Sequence, residues 1–306
     1  MNQAAPVIGV LLNYRDARRS EACVRALLGN GVAGVFVWDN SADGAVSSGE
    51  LKRRLNDDER VYLHVSPINV GFAVGVNLAV ERCLVQHPDA WVLIINNDAV
   101  LYDGALETLR QALHESPSAL LAAPQISQHD GVSGVVYYHR FTGLLFQQPR
   151  KGCSSHPSGC CLLLAPQRIQ LPLFDEDFFM YGEDCALGLR YRGRGDIMYL
   201  PKVLVRHDGT ASSGLGSRFY EERMVAAHLI LAGKLSSNPL GRALYRGTRV
   251  LVLSARAVRR SLRFRSWVPI QALGWGARLA WWSDPLRDAA RQQAAQDRQP
   301  TAAQHR

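Results

Sequence analysis

The chain has 306 residues, 47% of them hydrophobic and 20% charged, which is the composition of a globular protein able to bury a large core. Its net charge of +8 is unevenly placed: residues 1–233 carry 21 Lys/Arg against 24 Asp/Glu (−3), whereas residues 234–306 carry 14 against 3 (+11). Six cysteines without CxxC spacing or a histidine ladder argue against a zinc site or a disulfide framework. No apolar run reaches the length of a spanning helix and no leader pattern opens the chain, so a cytoplasmic protein with reduced thiols is expected.

In chain order, Pro6–Leu12 reads as a buried strand, Ala17–Leu28 as a helix stopped by Gly29 and Gly31, and Val32–Trp38 as a second strand ending in Asp39-Asn40-Ser41. A helix over Ser48–Leu55 and a strand over Val61–Val65 follow. The segment Asn69–Asn77 then opens a helix that runs to Leu84. Trp91-Val-Leu-Ile-Ile95 is a strand that ends abruptly in Asn96-Asn97-Asp98, before a helix near Gly104–His114. Strands and helices alternating at short spacing predict an α/β fold with a mostly parallel central sheet flanked by helices. Ligands of such sheets bind at the carboxyl ends of the strands, so Asp39, Asn69 and Asp98 point at one cleft. A carboxylate held at a strand end, as Asp98 is, can bind a hard divalent cation such as Mg²⁺.

Beyond Leu120 the pattern changes. Residues 130–158 read as an irregular lid, Ser158–Leu164 as a further buried strand, and Phe178–Tyr181 leads through Gly182 into Glu183-Asp184 and a short helix to about Arg192. Asp196–Leu200 and Val203–Arg206 read as two strands, the second ending at His207. Ser217–Leu235 and Arg242–Phe264 are helical by composition, and residues 285–306 read as a disordered tail. Each feature has a plainer reading. Asp39-Asn40-Ser41 can be a turn, Gly71 and Gly75 can serve close packing, and Glu183-Asp184 can complement a helix dipole.

The order of these motifs adds to them. Asp39-Asn40-Ser41, Asn69-x-Gly71-Phe72-Ala73-x-Gly75-x-Asn77, Asn96-Asn97-Asp98, Tyr181-Gly182-Glu183-Asp184 with Arg190, and then Pro201 and His207 resemble the family 2 glycosyltransferases, over roughly residues 6–235. Within that family they are most similar to the rhamnosyltransferase-like branch. The resemblance implies a GT-A fold over residues 1–235, a dTDP- or UDP-sugar donor, and Mg²⁺ or Mn²⁺; composition adds a basic, Trp-containing helical extension over 236–284. It implies metal-dependent, inverting transfer of a sugar such as rhamnose to a saccharide or lipid-linked glycan, in polysaccharide biosynthesis at the cell envelope.

Carried over residue by residue, Asp39 accepts from the nucleobase, and Asn69, Gly71 and Asn77 shape the nucleotide pocket. Asp98 is the acid of the metal-binding motif, with Asn96 in place of its first acid, Asn97 belongs with the nucleotide-sugar-binding residues, His207 is a second metal ligand, and Gly159 is near the sugar. Asp184 is the general base, with Glu183 beside it. Asn13-Tyr14-Arg15 matches the family's first strand ending only in part. A non-catalytic nucleotide-sugar or glycan-binding protein of the same fold is the alternative. A nucleotidyltransferase would place a glycine-rich, basic loop after the first strand, where Asn13-Tyr14-Arg15-Asp16 stands.

In the basic tail, Arg256, Arg259, Arg260, Arg263 and Arg265 alternate with Val258, Leu262 and Phe264 ahead of Trp267. This pattern fits a helix lying on the anionic, cytoplasmic face of a membrane, or helices packed on the domain with a solvated arginine face. The run contains no nucleic-acid reader motif, so nucleic acid is not an expected partner.

Overall fold

The structure is a computed structural model that describes residues 5–129, 131–193, 195–209 and 214–299. Val7–Asn13 (β1), Gly34–Asp39 (β2), Val61–Val65 (β3) and Trp91–Ile95 (β4) pair in parallel in the order β3–β2–β1–β4. Parallel neighbours need crossover connections, and Ala17–Gly29 (α1), Val46–Arg54 (α2) and Gly71–Gln86 (α3) supply them. Side chains alternate between the two faces of the sheet. Val7, Leu11, Val35, Val37, Leu93 and Ile95 pack with α1, whereas Ile8, Val10, Phe36, Trp38, Val92 and Ile94 pack with α3. Both faces are therefore dry, which is why these strands read as continuous apolar runs.

The sheet continues beyond β4 with Ala99–Leu101 (β5), the helix Ala105–His114 (α4), Leu121–Gln128 (β6), Gly131–Ser133 (β7), Val135–His139 (β8), Leu145–Phe146 (β9), Cys153–Pro157 (β10), Cys161–Leu164 (β11), the helix Glu183–Arg190 (α5) and Ile197–His207 (β12). Beside β4 the order is β11–β6–β12–β5, with β11 antiparallel to both neighbours and β7 added on β6, making nine strands. Residues 130–158, expected as an irregular lid, instead hold a three-stranded antiparallel sheet, β10–β8–β9. Its strands lack an apolar alternation because only Tyr138, His156 and Pro157 among them are buried. The two strands expected over 196–206 are one strand, β12, whose register shifts between Tyr199 and Val203; Pro201 has no N–H to give to the ladder, and the irregularity absorbs it.

Arg218–Lys234 (α6), Pro239–Phe264 (α7), Val268–Trp281 (α8) and Pro285–Asp297 (α9) complete the chain. Gly276 lets α8 press on α6, since a Cβ there would lie 2.5 Å from the Val225 Cβ. Two of the arginines read as membrane-facing point inward instead: Arg256 and Arg260 both bind Glu221 of α6, which is fully buried. Residues 285–297, read as the start of a disordered tail, form α9. Its alanine face, Ala290 and Ala294, joins the α3 side of the core, and Arg298 bridges Glu81 of α3 and Glu176. Residues 300–306 of that tail lie outside the described residues.

A buried ion pair between Arg223 of α6 and Asp284, the residue that caps α9, ties the last helices to the rest. Removing one member of such a pair strands the other charge without water. Asp284→Ala is expected to lower the unfolding free energy by about 3–5 kcal/mol in chemical denaturation. A loss below about 1 kcal/mol, the range of an exposed pair, would show that Arg223 finds another partner.

Candidate active site

After β1 the chain runs outward through β2 and β3, then crosses back to place β4 on the other side of β1. At such a reversal the connections leave in opposite directions and a crevice opens at the carboxyl ends of the strands. A cleft of about 260 Å³ lies there. Leu12 and Tyr14 line it from β1, Asn96, Asn97 and Asp98 from β4, Ser158, Gly159 and Cys160 ahead of β11, Glu183 and Asp184 from the start of α5, and His207 from the end of β12. Asp98 and Asp184, distant in sequence, thus open onto one cavity.

The pairing of β12 with β5, which sets His207 opposite Ala99, brings the His207 imidazole to Asp98. His207 Nε2 lies 3.1 Å from Asp98 Oδ1, and both side chains are largely buried. Gln128 Nε2 is 3.3 Å from His207 Nδ1. With the Gln128 NH₂ donating, Nε2 carries the ring proton and donates to Asp98; with the amide turned so that its oxygen faces Nδ1, the proton moves to Nδ1 and Nε2 offers a lone pair. Asn96 Oδ1 is buried with no hydrogen-bond partner among the described residues. The Asp98 carboxylate and the His207 imidazole are donor types that suit a hard or borderline divalent cation.

A second grouping, His156, Asp184 and Cys185, holds its polar atoms within 4.8 Å of one another. His156 Nδ1 lies 2.9 Å from the Pro157 carbonyl oxygen and Nε2 3.1 Å from Cys185 Sγ. Burial, and after it the charge of Asp184, push the Cys185 thiol well above its ordinary range. The thiol therefore keeps its proton and donates it to Nε2, while Nδ1–H donates to the carbonyl. Both nitrogens are satisfied without an ion.

The acidic pair owes its direction to two consecutive residues in the left-handed region, Tyr181 (φ 68°) and Gly182 (φ 89°). Tyrosine in this region costs on the order of 1 kcal/mol or more, and the packed surroundings hold it there. Glu183 is buried, and burial first, then the neighbouring Asp184 charge, push its carboxyl up to about 8. Glu183 is therefore the protonated member at neutral pH. The Asp184 side chain is 28% exposed and accepts from the Cys185 N–H at 2.7 Å. Gly159 lies against it, where an added Cβ would be 3.7 Å from the Asp184 Cβ.

No family model matches the chain. Over 212 residues it is 26% identical to the N-acetylglucosaminyl-diphospho-decaprenol L-rhamnosyltransferase of Mycobacterium tuberculosis, in each of two strains, covering 59% of this chain and 68% of that protein. Its fold matches the crystal structures of S. aureus TarS 1–349 alone (TM-score 0.50) and in complex with UDP (TM-score 0.52), each at 13% identity over 95% of this chain and 88% of the other. These likenesses support a glycosyltransferase. The chain has the GT-A fold, and its relatives are of the rhamnosyltransferase-like kind.

The remaining residues singled out in the sequence of this glycosyltransferase lie around the cleft rather than on its wall. Asp39, at the end of β2, is buried. Its Oδ1 accepts from Asn13 Nδ2 at 2.9 Å and from the Ser41 hydroxyl and N–H, while Oδ2 has no partner among the described residues. A chain of hydrogen bonds runs from there to the acidic motif: Ser20 Oγ donates to Asn13 Oδ1 at 2.7 Å, and Asn97 Nδ2 donates to Ser20 at 3.0 Å. Ser20 carries no sequence signal, being one serine inside a helix. Asn13 could have been found from its place at a strand end beside Asp39. Asn69 Oδ1 accepts from the Gly71 N–H and from Asn40 Nδ2, both at 2.9 Å. Gly71 (φ 76°) allows α3 to begin against the Phe179 carbonyl, 2.3 Å from where a Cβ would sit. Asn77 is buried and holds both the N–H and the carbonyl of Phe174, each at 2.9 Å.

The raised Glu183 carboxyl makes stability depend on pH. In the window from the ordinary 4.5 to about 8 the folded protein keeps a proton that the unfolded chain has released. The resulting stabilisation is complete below that window and is lost as pH rises through it. Glu183→Gln is neutral throughout, so its stability relative to the parent is expected to rise with pH across the window, read as denaturation midpoints at several pH values. Parallel profiles for the two proteins would show that Glu183 is ionised in the fold.

Proposed function

We propose that this glycosyltransferase moves a deoxyhexose such as rhamnose, with inversion, from a dTDP- or UDP-sugar to a saccharide or lipid-linked glycan, aided by Mg²⁺ or Mn²⁺. The observation that carries the reading is that the Asp98–His207 pair and Asp184 line the same cleft. The deoxyhexose and the lipid-linked acceptor are supported by the name of the mycobacterial relative, and the nucleotide by the UDP complex of TarS. In this reading residues 1–235 are the catalytic unit.

Asp39 Oδ2, buried and unpartnered, is suited to accept the imide N–H of a uracil or thymine. Asp98 and His207 would hold the cation, with Asn96 at the first position of the motif, and the ion would offset the charge of the departing nucleoside diphosphate. Gly159 leaves room beside Asp184 for the sugar. Asp184 takes the proton of the attacking hydroxyl as the new bond forms, and Glu183, already protonated, is not available for that task. A recess of about 210 Å³ adjoins the cleft at Tyr181, Glu183 and Asp184, and its wall includes Tyr138, Leu145, Met224 and Leu231. An acceptor seated in this recess would bring its hydroxyl to Asp184, which also lines the donor cleft. The binding-only alternative has no need of Asp184 at the junction of two cavities.

Titration calorimetry with UDP-, dTDP- and GDP-sugars, with and without Mn²⁺, tests the reading. The parent is expected to bind one UDP- or dTDP-sugar only in the presence of metal, and Asp98→Ala to lose that binding. Asp184→Asn is expected to bind donor like the parent while turnover falls by roughly 10²–10⁴-fold. Metal-free donor binding by Asp98→Ala as tight as the parent's would overturn the metal assignment, and unimpaired turnover by Asp184→Asn would overturn the base.

A further inference from the structure

Helix α7 is anomalous for a surface helix. Its inner face packs through Leu253, Ala257 and the Glu221-bound Arg256 and Arg260. Its outer face should then be polar. Instead Leu240, Leu244, Leu251, Val258 and Leu262 stand outward, Leu240, Leu251 and Leu262 at 78%, 72% and 76% exposure. Their spacings of four, seven, seven and four positions place all five within an arc of about 40° on a helix of 3.6 residues per turn, opposite the buried residues. A stripe this long on one face of a 26-residue helix is not scattered surface hydrophobicity.

The charge beside the stripe points to its partner. Arg259 and Arg263, about 80° and 120° round the helix from the centre of the stripe, and Arg265 at the helix end have no carboxylate partner among the described residues, and all three are exposed. Trp267, just past the end of α7, and Trp282 are exposed at 72% and 74%. Leucines in line, unpaired arginines and exposed tryptophans match the three zones of a bilayer surface: acyl chains, anionic headgroups and the boundary between them. No helix of the described residues is long and apolar enough to cross a membrane. We infer that the outer face of α7 seats the protein on an anionic lipid bilayer, parallel to its plane, with Leu240, Leu244, Leu251, Val258 and Leu262 reaching into the acyl region. This goes beyond the catalytic reading and stands without it, because vesicle binding is measured with no donor or acceptor present.

The test is flotation of the full chain with phosphatidylcholine vesicles, with and without phosphatidylglycerol, at low and high salt. The parent is expected to float with the anionic vesicles at low salt and to bind neutral vesicles more weakly. Leu244→Asp/Leu251→Asp/Leu262→Asp, all at exposed positions, is expected to reduce partitioning at least about tenfold with an unchanged circular dichroism spectrum. Should that variant misfold, Arg259→Glu/Arg263→Glu carries the test, with an expected loss of binding to anionic vesicles only. A parent that does not float at low salt, or a leucine variant that floats like the parent, overturns the inference. So does a parent that forms a dimer dispersed by the leucine variant and binds no vesicles, since the stripe then belongs to a second copy.

Discussion

Three carboxyl groups, Asp98, Glu183 and Asp184, line one partly dry cleft, and like charges in such a place repel strongly unless each is dealt with. The fold handles them in three ways. Asp98 meets an imidazole, Glu183 is buried deeply enough to keep its proton, and Asp184 keeps contact with solvent and with a backbone N–H. The division of labour in the proposed reaction follows from this: Asp98 would face a cation, Glu183 would stay silent, and Asp184 would take a proton. Adjacent carboxyls in the same short helix become unlike chiefly through burial, to which the charge of Asp184 adds.

That arrangement rests on the segment that carries the acidic pair. Asn77 grips the backbone at Phe174, Gly71 brings the start of α3 against Phe179, and Arg223 lies 4.8 Å over the Phe179 ring while pairing with Asp284. Several residues read from the sequence as part of the nucleotide pocket thus brace the segment before Asp184. The C-terminal helices take part in the same bracing, because Arg223 and Asp284 connect the site to α9. An extension that looks separable by composition is coupled to the segment that carries Asp184.

The arginines of the C-terminal quarter form two populations. Those that turn inward bind Glu221, Asp177, Glu81 and Glu176 and hold helices together. Others, Arg259 and Arg263 among them, stay outward beside an apolar stripe. Composition records only their sum, and the two populations separate only when the packing partner of each helix face is known.

The amino-acid sequence alone determined the parallel half of the sheet, because strands buried on both faces must be apolar throughout and must end abruptly where they reach solvent. It also marked Asp98, a side chain delivered at a strand end, whereas Asp184 and His207 were marked only by the order of motifs that resembles a family. What only the tertiary structure decided was everything that depends on a partner distant in sequence. The hydrogen-bond chain through Ser20 and Asn13, the three-stranded sheet of residues 135–157, the docking of α9 by two alanines and an arginine fork, and the inward turn of Arg256 and Arg260 all use residues that are ordinary in isolation. Periodicity reports where a side chain points relative to its own element, and it carries no record of what another element places opposite.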